Sequence, residues 1–270
     1  MARAQNTQDQ TLAQIRAYLK TLKLLKMEKA LDEELSSGAR ESWPVSKVLE
    51  RLLALEANSL IERRIERRIK DSRLPERKLL SDFDFPFQKD IDPNQIMGLA
   101  TLSFVERKQG LILAGSSGTG KSHIAKAMLL IGCQHLYRCR YTTAADMLKD
   151  LLASLADDTL EQKLKLYTRP DIRLIDEVGF DRLEQESARN ASLFFKVIDQ
   201  RYCKGSTLLT MNIDFKALGD YLGDPVITTA IVDRMVHHSI IIHIQGPSWR
   251  MNESKKLNTQ TRKAKSKTPS

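Results

Sequence analysis

Apolar residues in the first part of the chain recur with the spacing of an α-helix. Four of them lie three or four residues apart: Leu12, Ile15, Leu19 and Leu22. The same spacing continues through LKMEKALDEELSSG, residues 25–38. We predict that this helical segment ends at Gly38, because glycine readily takes the left-handed conformation that terminates helices.

A second helical pattern follows Pro44 and runs through SKVLERLLALEANSLIERRIERRIKDSR. Near its end, isoleucines and arginine pairs repeat at one-turn spacing, which is typical of a long helix. Ser46 is the expected N-cap and Pro75 marks the expected end. Residues 11 to about 80 are therefore predicted to be helical throughout.

From about residue 81, short apolar runs alternate with helical stretches. The runs are LILA (111–114), YRCRYTTA (137–144), IRLID (172–176), TLLTMN (207–212) and SIIIHI (239–244). Strands separated by helices form parallel sheets with helices on both faces. We predict an α/β fold with a five-stranded, mainly parallel sheet, preceded by a small all-helical domain.

Composition and charge divide the chain further. With 270 residues, 41% of them hydrophobic, it can build one full core and a smaller one. We expect a helical domain at 1–80, an α/β domain at 81–250 and a basic, disordered tail at 251–270. The net charge is +9, and residues 61–78 hold eight basic against four acidic residues. These basic stretches either form solvated surfaces or indicate a polyanionic partner.

Several classes of protein are disfavoured. The cysteines, Cys133, Cys139 and Cys203, show no Cys-x-x-Cys spacing, so we expect buried thiols rather than disulfides or a zinc site. The adjacent His237 and His238 lack the neighbours that a metal site needs. No signal peptide and no apolar run of about 18 residues is present, which predicts a soluble, cytoplasmic protein without a membrane partner.

The clearest motif is GSSGTGKS, which lies between the first apolar run and a helical stretch. It fits the phosphate-binding pattern G-x-x-x-x-G-K-[ST], in which backbone N–H groups surround a phosphate. Lys121 is expected to reach the β- and γ-phosphates, and Ser122 to offer its hydroxyl to Mg²⁺. The predicted nucleotide-binding residues are Gly115, Ser116, Ser117, Gly118, Thr119, Gly120, Lys121 and Ser122.

Residues that could support hydrolysis follow the later runs. Asp176 is a candidate magnesium ligand, and Glu177 could polarise an attacking water. Asn212 could hydrogen-bond this water and the γ-phosphate, although asparagine is also an ordinary turn residue. Arg234 could neutralise charge on a γ-phosphate, or it could simply pair with Asp233.

These segments together resemble a known family. GSSGTGKSH, YTTAADML, IRLIDEVGF, LFFKVIDQRY, TLLTMN and TTAIVDRMVHHSIIIHIQGPSWR are similar to the AAA+ initiator clade, and specifically to the IstB-like transposition helper ATPases. These are relatives of the helicase loader DnaC. The resemblance covers nearly the whole chain and implies an ATPase that uses ATP and Mg²⁺.

The resemblance also implies roles for individual residues. Asp176 and Glu177 would form the Walker B motif, Asn212 sensor 1, and Arg234 a finger that acts on a neighbouring subunit. Arg250 would contact the nucleotide. Its surroundings depart from the family, since this chain has GPSWR where the family has G-E-S-Y-R.

The partners implied are double-stranded DNA, a transposase, and further copies of the chain in a ring or filament promoted by ATP and DNA. The helical domain would bind DNA. Helices inserted after the second apolar run, YRCRYTTA, would line the channel through which the DNA passes. Candidate DNA contacts are Arg63, Arg64, Arg67, Arg68, Lys70, Lys149, Lys163 and Lys165. Two alternatives stay open, a replicative helicase loader and a small-molecule kinase.

Overall fold

The computed structural model describes residues 2–180 and 187–255. Its contacts divide the chain into two compact units, Met1–Arg67 and Arg68–Ser270. The contacts divide the chain after Arg67, whereas the sequence pattern predicts the division at about residue 80. Most of the basic tail, residues 256–270, lies outside the described part of the chain, whereas residues 249–255 are helical.

The first unit is helical, as predicted. Its helices are α1 (Ala2–Thr21), α2 (Leu25–Arg40) and α3 (Val45–Asp71), the last of which continues into the second unit. Apolar side chains from all three helices form one small core: Leu19, Met27, Leu31, Val48 and Leu52. The helical spacing of apolar residues creates this core by bringing one side of each helix to a common centre.

Three details of the helix ends differ from the prediction. Gly38 lies inside α2, and a Cβ there would come within 2.6 Å of Val48 Cγ2. Ser42 takes the left-handed conformation instead, with φ of 54°, and the Trp43 amide donates to the Gly38 carbonyl at 2.8 Å. This is the Schellman ending, so glycine serves close packing here and serine ends the helix.

The other two differences concern α3. Ser46 is not the N-cap, because the helix already begins at Val45, directly after Pro44. The helix also ends before Pro75, at Asp71, and Arg73 turns the chain with a positive φ of 56°. A proline limits how far a helix can extend but does not fix where it stops.

The second unit contains the predicted sheet. Its strands are β1 (Gly110–Gly115), β2 (Cys139–Thr143), β3 (Ile172–Val178), β4 (Ser206–Met211) and β5 (Ser239–Ile244). They pair in the order β2-β3-β4-β1-β5, and every pairing is parallel. The α/β prediction and all five strands are confirmed. Apolar residues run continuously along β1 because both faces of this central strand are covered.

Helices connect and cover the strands of this unit. Before the helical residues 249–255, the α-helices are α4 (Pro93–Leu99), α5 (Ser103–Glu106), α6 (Lys121–Gln134), α7 (Ala144–Ala156), α8 (Leu160–Thr168), α9 (Ser187–Arg201), α10 (Leu218–Leu222) and α11 (Pro225–His237). The helices α7 and α8 lie between β2 and β3, in the segment where the family resemblance implies inserted helices.

The sheet topology fixes where a ligand site can form. Met211, at the end of β4, pairs with Ala114 of β1 on one side and with Val178 of β3 on the other. The carboxyl ends of these three strands are therefore level. Ligands in open α/β sheets bind at this edge.

The cysteines, the possible metal ligands and the apolar helices are the last features predicted from the sequence. Cys133 and Cys139 are buried free thiols, but Cys203 is exposed, which corrects the prediction of three buried thiols. Among the described residues, no group of three or more histidine, cysteine, aspartate and glutamate side chains could hold a metal ion. Within the same residues, no helix combines the length and apolarity that a membrane span requires.

Candidate nucleotide site

A cavity of about 560 Å³ opens at the carboxyl edge of the sheet. The loop between β1 and α6, the ends of β3 and β4, and the segment 76–88 line it. Its lining includes Lys121, Ser122, Glu177, Asn212 and Arg250. With Ser117, Gly118, Thr119 and Gly120 of the loop, the structure brings nine of the predicted site residues into one cavity.

The glycine positions of the loop are conformationally required. Gly118 and Gly120 have φ of 82° and 95°, in the left-handed region that favours glycine. A Cβ on Gly120 would lie 2.5 Å from the Phe83 ring, and one on Gly118 would lie 2.1 Å from Ser248 Oγ. Segments far away in sequence thus pack directly against the loop, and any larger residue would displace them.

Lys121 begins α6 and is only 7% exposed. Its Nζ donates to the carbonyl of Ser116 at 2.6 Å. Burial, and then the nearby charge of Arg250, lower the pKa of Lys121 below its ordinary value. A buried ammonium whose described hydrogen-bond partner is a neutral carbonyl is suited to bind an anion at the N-terminus of the helix.

Asp176 is fully buried at the end of β3 and accepts hydrogen bonds at both carboxylate oxygens. Ser122 Oγ donates to Oδ1 at 2.8 Å, and Thr210 Oγ1 donates to the same oxygen. Tyr141 donates its hydroxyl to Oδ2 at 3.3 Å. Burial, followed by the charge of Asp176, raises the pKa of this tyrosine above its ordinary range.

The residues around Asp176 fit a magnesium ion. Mg²⁺ prefers hard oxygen ligands, and a protein usually supplies one or two of them while water and phosphate supply the rest. The Asp176 carboxylate and the Ser122 hydroxyl are such ligands, and they already contact each other at 2.8 Å. This is the pair that the sequence predicts for the metal.

Glu177 follows in a strained conformation, with φ of 63°. The pairing of β3 with β4 shifts register at this point, and the Glu177 amide donates to Thr210 Oγ1 at 2.9 Å. At this irregularity the exposed side chain of Glu177 lines the cavity, while the side chain of Asp176 stays buried. Strain of this kind costs about 1–3 kcal/mol and is concentrated at functional sites.

Asn212 follows β4 and also lines the cavity. With its amide oriented to satisfy its neighbours, the side-chain nitrogen donates to the carbonyls of Val178 and Gly179, at 2.8 and 3.1 Å. Asn212 therefore connects β4 to the loop after Glu177. Its two amide hydrogens are used within the chain rather than directed only toward a ligand.

Arg234 lies on α11 and does not line the cavity. Its Nε donates to Asp199 Oδ1 at 2.7 Å, and its guanidinium stacks 4.7 Å above the Phe195 ring centroid. The carboxylate considered from the sequence, Asp233, is thus not the partner that the structure gives. Asp199 lies on a different helix, α9, so its pairing with Arg234 cannot be predicted from nearness in the sequence.

Arg250 reaches the phosphate-binding loop despite the departure from the family ending. Its guanidinium donates to Ser117 Oγ at 2.6 Å, and the Trp249 amide donates to the Gly118 carbonyl at 2.9 Å. The Trp249 ring meets Phe87 edge to face at 5.0 Å. The segment that ends in GPSWR therefore covers the loop.

Several residues of this site were not predicted from the sequence. Phe83, Phe87 and Lys126 line the cavity, and Thr210 and Tyr141 hold Asp176. Thr210 could have been found, because it is a polar residue near the carboxyl end of the run TLLTMN, at the edge where Asp176 is expected. Lys126 could also have been found, because it follows Ser122 by one helical turn. The remaining contacts depend on packing between distant segments and leave no local signal.

The candidate DNA contacts are not among the residues that line the cavity. Four of the five on α3 are exposed, and Arg68 is half-buried. Arg63 pairs with Glu56 at 3.3 Å. On the inserted helices, Lys149 and Lys165 are exposed, whereas Lys163 pairs with Asp150 at 2.6 Å.

Comparison with solved structures places this architecture in a class. The chain superposes on DnaI with a TM-score of 0.52 at 22% identity, over 63% of this chain and 92% of that chain. It superposes on AMPPCP-bound DnaA from Aquifex aeolicus with a TM-score of 0.50 at 19% identity, over 68% and 55%. These likenesses concern the fold, which is that of an AAA+ P-loop domain.

The chain belongs to the family of IstB-like ATP binding proteins, whose family model matches residues 17–257. The protein named as the ATP-binding protein of insertion sequence IS5376 from Geobacillus stearothermophilus is 37% identical over 81% of this chain and 85% of its own length. Its counterpart from IS21 of Pseudomonas aeruginosa is 33% identical over 92% and 93%. The family resemblance seen in the sequence is thereby confirmed.

Proposed function

We propose that this protein binds ATP with Mg²⁺ in the cavity and hydrolyses it. The observation that carries the proposal is the 2.8 Å hydrogen bond between Ser122 Oγ and Asp176 Oδ1. It joins the phosphate-binding motif to the buried carboxylate near the end of β3. Loop amides and Lys121 would bind the phosphates, while Ser122 and Asp176 would hold the metal, which supplies charge neutralisation.

Hydrolysis requires a group that acts on water. Glu177 lines the cavity next to Asp176, and we assign it to orient and deprotonate the attacking water. Asn212 would fix the end of β3, which carries Glu177, through its bonds to Val178 and Gly179. This pair of roles favours an ATPase over a small-molecule kinase, which transfers phosphate to a bound acceptor and needs no such glutamate.

The position of Arg234 supports an assembly in which subunits complete each other's sites. In one chain it lies outside the cavity. We propose that it acts on the γ-phosphate in a neighbouring subunit of a ring or filament, and that ATP and DNA promote this assembly. Turnover would then depend on assembly, because each site would lack one cation until a neighbour supplies it.

We further propose that the assembly binds double-stranded DNA. The exposed arginines of α3 and the lysines of α7 and α8 would contact phosphates, which position a protein without specifying sequence. The relatives are named after insertion sequences, which supports a transposase as the protein partner and target-DNA selection as the task. The likeness to DnaI concerns the fold alone and does not favour helicase loading.

The substitution Glu177→Gln tests the enzymatic part. It should leave ATP affinity nearly unchanged and lower turnover by about 10²–10⁴-fold, the usual contribution of a general base. Turnover is measured as phosphate release without an added acceptor, in the presence and absence of duplex DNA. Wild-type turnover in the variant, or no turnover in the wild type, would contradict the proposed ATPase.

A further inference from the structure

Asp176 makes a second set of contacts, at its other carboxylate oxygen, that has no role in the proposed mechanism. Ser122 and Thr210 contact Oδ1, on the side of the phosphate-binding loop. On the other side, Oδ2 accepts from Tyr141 and lies 3.8 Å from Lys126 Nζ. The carboxylate is thus contacted at both oxygens, by α6 and β4 at Oδ1 and by α6 and β2 at Oδ2.

The geometry of α6 explains how Lys126 arrives there. Ser122 and Lys126 are four residues apart on this helix and so lie on the same face, one turn from each other. Both therefore face Asp176. The side chain of Lys126 is only 13% exposed, and its ammonium lies 5.7 Å from the Tyr141 ring centroid.

The closest contact of Lys126 is with a carboxylate from outside the core of the domain. Glu76 Oε1 lies 3.0 Å from Lys126 Nζ, and the other oxygen of Glu76 lies 3.0 Å from Lys78 Nζ. Hydrogen bonds from Lys78 and then Lys126 hold the pKa of Glu76 below its ordinary value. Glu76 therefore stays ionised and neutralises Lys126 at the rim of the same cavity.

We propose that Lys126 is a positioning residue for the magnesium carboxylate Asp176, and that Glu76 keeps Lys126 in that role. Lys126 and Tyr141 hold Oδ2, which leaves Oδ1 directed toward Ser122. Glu76 neutralises the ammonium, so that its charge does not compete with the metal. This inference rests on the proposed ATP–Mg²⁺ site and adds two residues to it.

The two residues affect the metal in different ways. Without Lys126, the carboxylate can rotate and its orientation toward the metal is lost. Without the charge of Glu76, Lys126 directs its full charge to Asp176 and opposes the metal. Because Glu76 acts through Lys126, its substitution should have no further effect once the lysine is gone.

The test measures binding rather than turnover. A fluorescent ATP analogue is titrated into the full chain in Mg²⁺ and in EDTA, and the ratio of the two affinities is compared among variants. Lys126→Met should lower this ratio by about tenfold, as is usual when a residue that orients a metal ligand is lost. Glu76→Gln should lower it by less, and the double variant should match Lys126→Met alone.

Lys126→Arg, which keeps the charge, should preserve most of the ratio, and it provides the test if Lys126→Met does not fold by circular dichroism. Lys47→Met, which removes a lysine paired with Glu50 at 3.4 Å, is the matched control and should leave the ratio unchanged. An unchanged or increased ratio in folded Lys126→Met overturns this proposal alone. A wild-type chain that does not bind the analogue removes the proposed function and this proposal with it.

Discussion

Basic side chains in two parts of the molecule have different partners. Inside the cavity, Lys121 donates to a backbone carbonyl and Arg250 donates to a serine hydroxyl. On the surface, the partners are carboxylates: Asp199 for Arg234, Glu56 for Arg63 and Asp150 for Lys163. Lys121 and Arg250 therefore have neutral hydrogen-bond partners, unlike Lys126 at the rim of the same cavity, whereas these surface cations are paired with anions.

The difference shows which cations are ready to bind phosphate. A cation that contacts neutral groups can accept a phosphate without giving up an ion pair. A surface cation must first leave its carboxylate, but exposed ion pairs contribute only about 0–1 kcal/mol, so a phosphate can displace the carboxylate at little cost. Lys121 and Arg250 can thus bind phosphate within one chain, and the surface cations can be recruited by another molecule.

The largest effect that can test this comparison is expected at Arg234. If Arg234 leaves Asp199 to serve a neighbour's γ-phosphate, Arg234→Ala should lower turnover by roughly 10³-fold or more, the usual value of such an arginine. ATP affinity should change little, because the cavity of each chain is intact. Phosphate release by Arg234→Ala, with nucleotide affinity measured in parallel, checks this.

Mixing variants distinguishes a neighbour's site from a local role. Arg234→Ala keeps its cavity, whereas Lys121→Ala keeps its arginine, so neither should hydrolyse ATP alone. Together they should recover part of the activity at shared interfaces. If mixed oligomers form without recovery, or if Arg234→Ala is fully active alone, Arg234 is only the ion-pair partner of Asp199.

A smaller effect, on binding, is expected at Lys121. Lys121→Ala removes the buried ammonium and should weaken ATP binding by about 10²–10³-fold, because loss of one partner of a buried charged contact costs roughly 2–5 kcal/mol. The measurement is a titration with a fluorescent nucleotide, and circular dichroism shows whether the variant is folded. ATP affinity equal to that of the wild type would show that the cavity is not the nucleotide site.

The sequence predicts the cavity better than the surface. The five strands and the positions of Asp176, Glu177 and Asn212 follow from local patterns, because these residues lie at or near the carboxyl ends of β3 and β4 and such ends meet in a parallel sheet. The conformation of the phosphate-binding loop follows from its glycines. These features depend on short-range chemistry and on a single topological rule.

Contacts between distant segments were not predictable in this way. Arg173 interrupts an apolar run and is fully buried, with its guanidinium donating to the carbonyls of Leu166 and Tyr167 at the end of α8. The pairing of Arg234 with Asp199, and the packing of Gly38 against Val48, likewise depend on the angle between two helices. Residue spacing predicts which face of a helix a side chain occupies, but not which residue of another helix that side chain contacts.

The smallest expected effect concerns a surface cation of the first unit. Arg63 is well exposed, and its partner Glu56 is anchored independently, since Glu56 Oε2 accepts from the Lys26 amide at 2.7 Å. Arg63 can therefore exchange Glu56 for a DNA phosphate without leaving a buried carboxylate unpaired. Arg63→Gln should weaken binding to duplexes of any sequence alike and reduce the slope of log affinity against log salt by about 1.

The measurement is fluorescence anisotropy of labelled duplexes with ATP analogue present, across a series of salt concentrations. Lys47→Gln is the control, because it removes an exposed cation from the same helix outside the proposed DNA contacts. It should leave the slope unchanged. An equal slope for Arg63→Gln and wild type would mean that Arg63 keeps Glu56 as its partner on DNA. Arg63 would then differ from Arg234, because no second molecule would recruit it from its carboxylate.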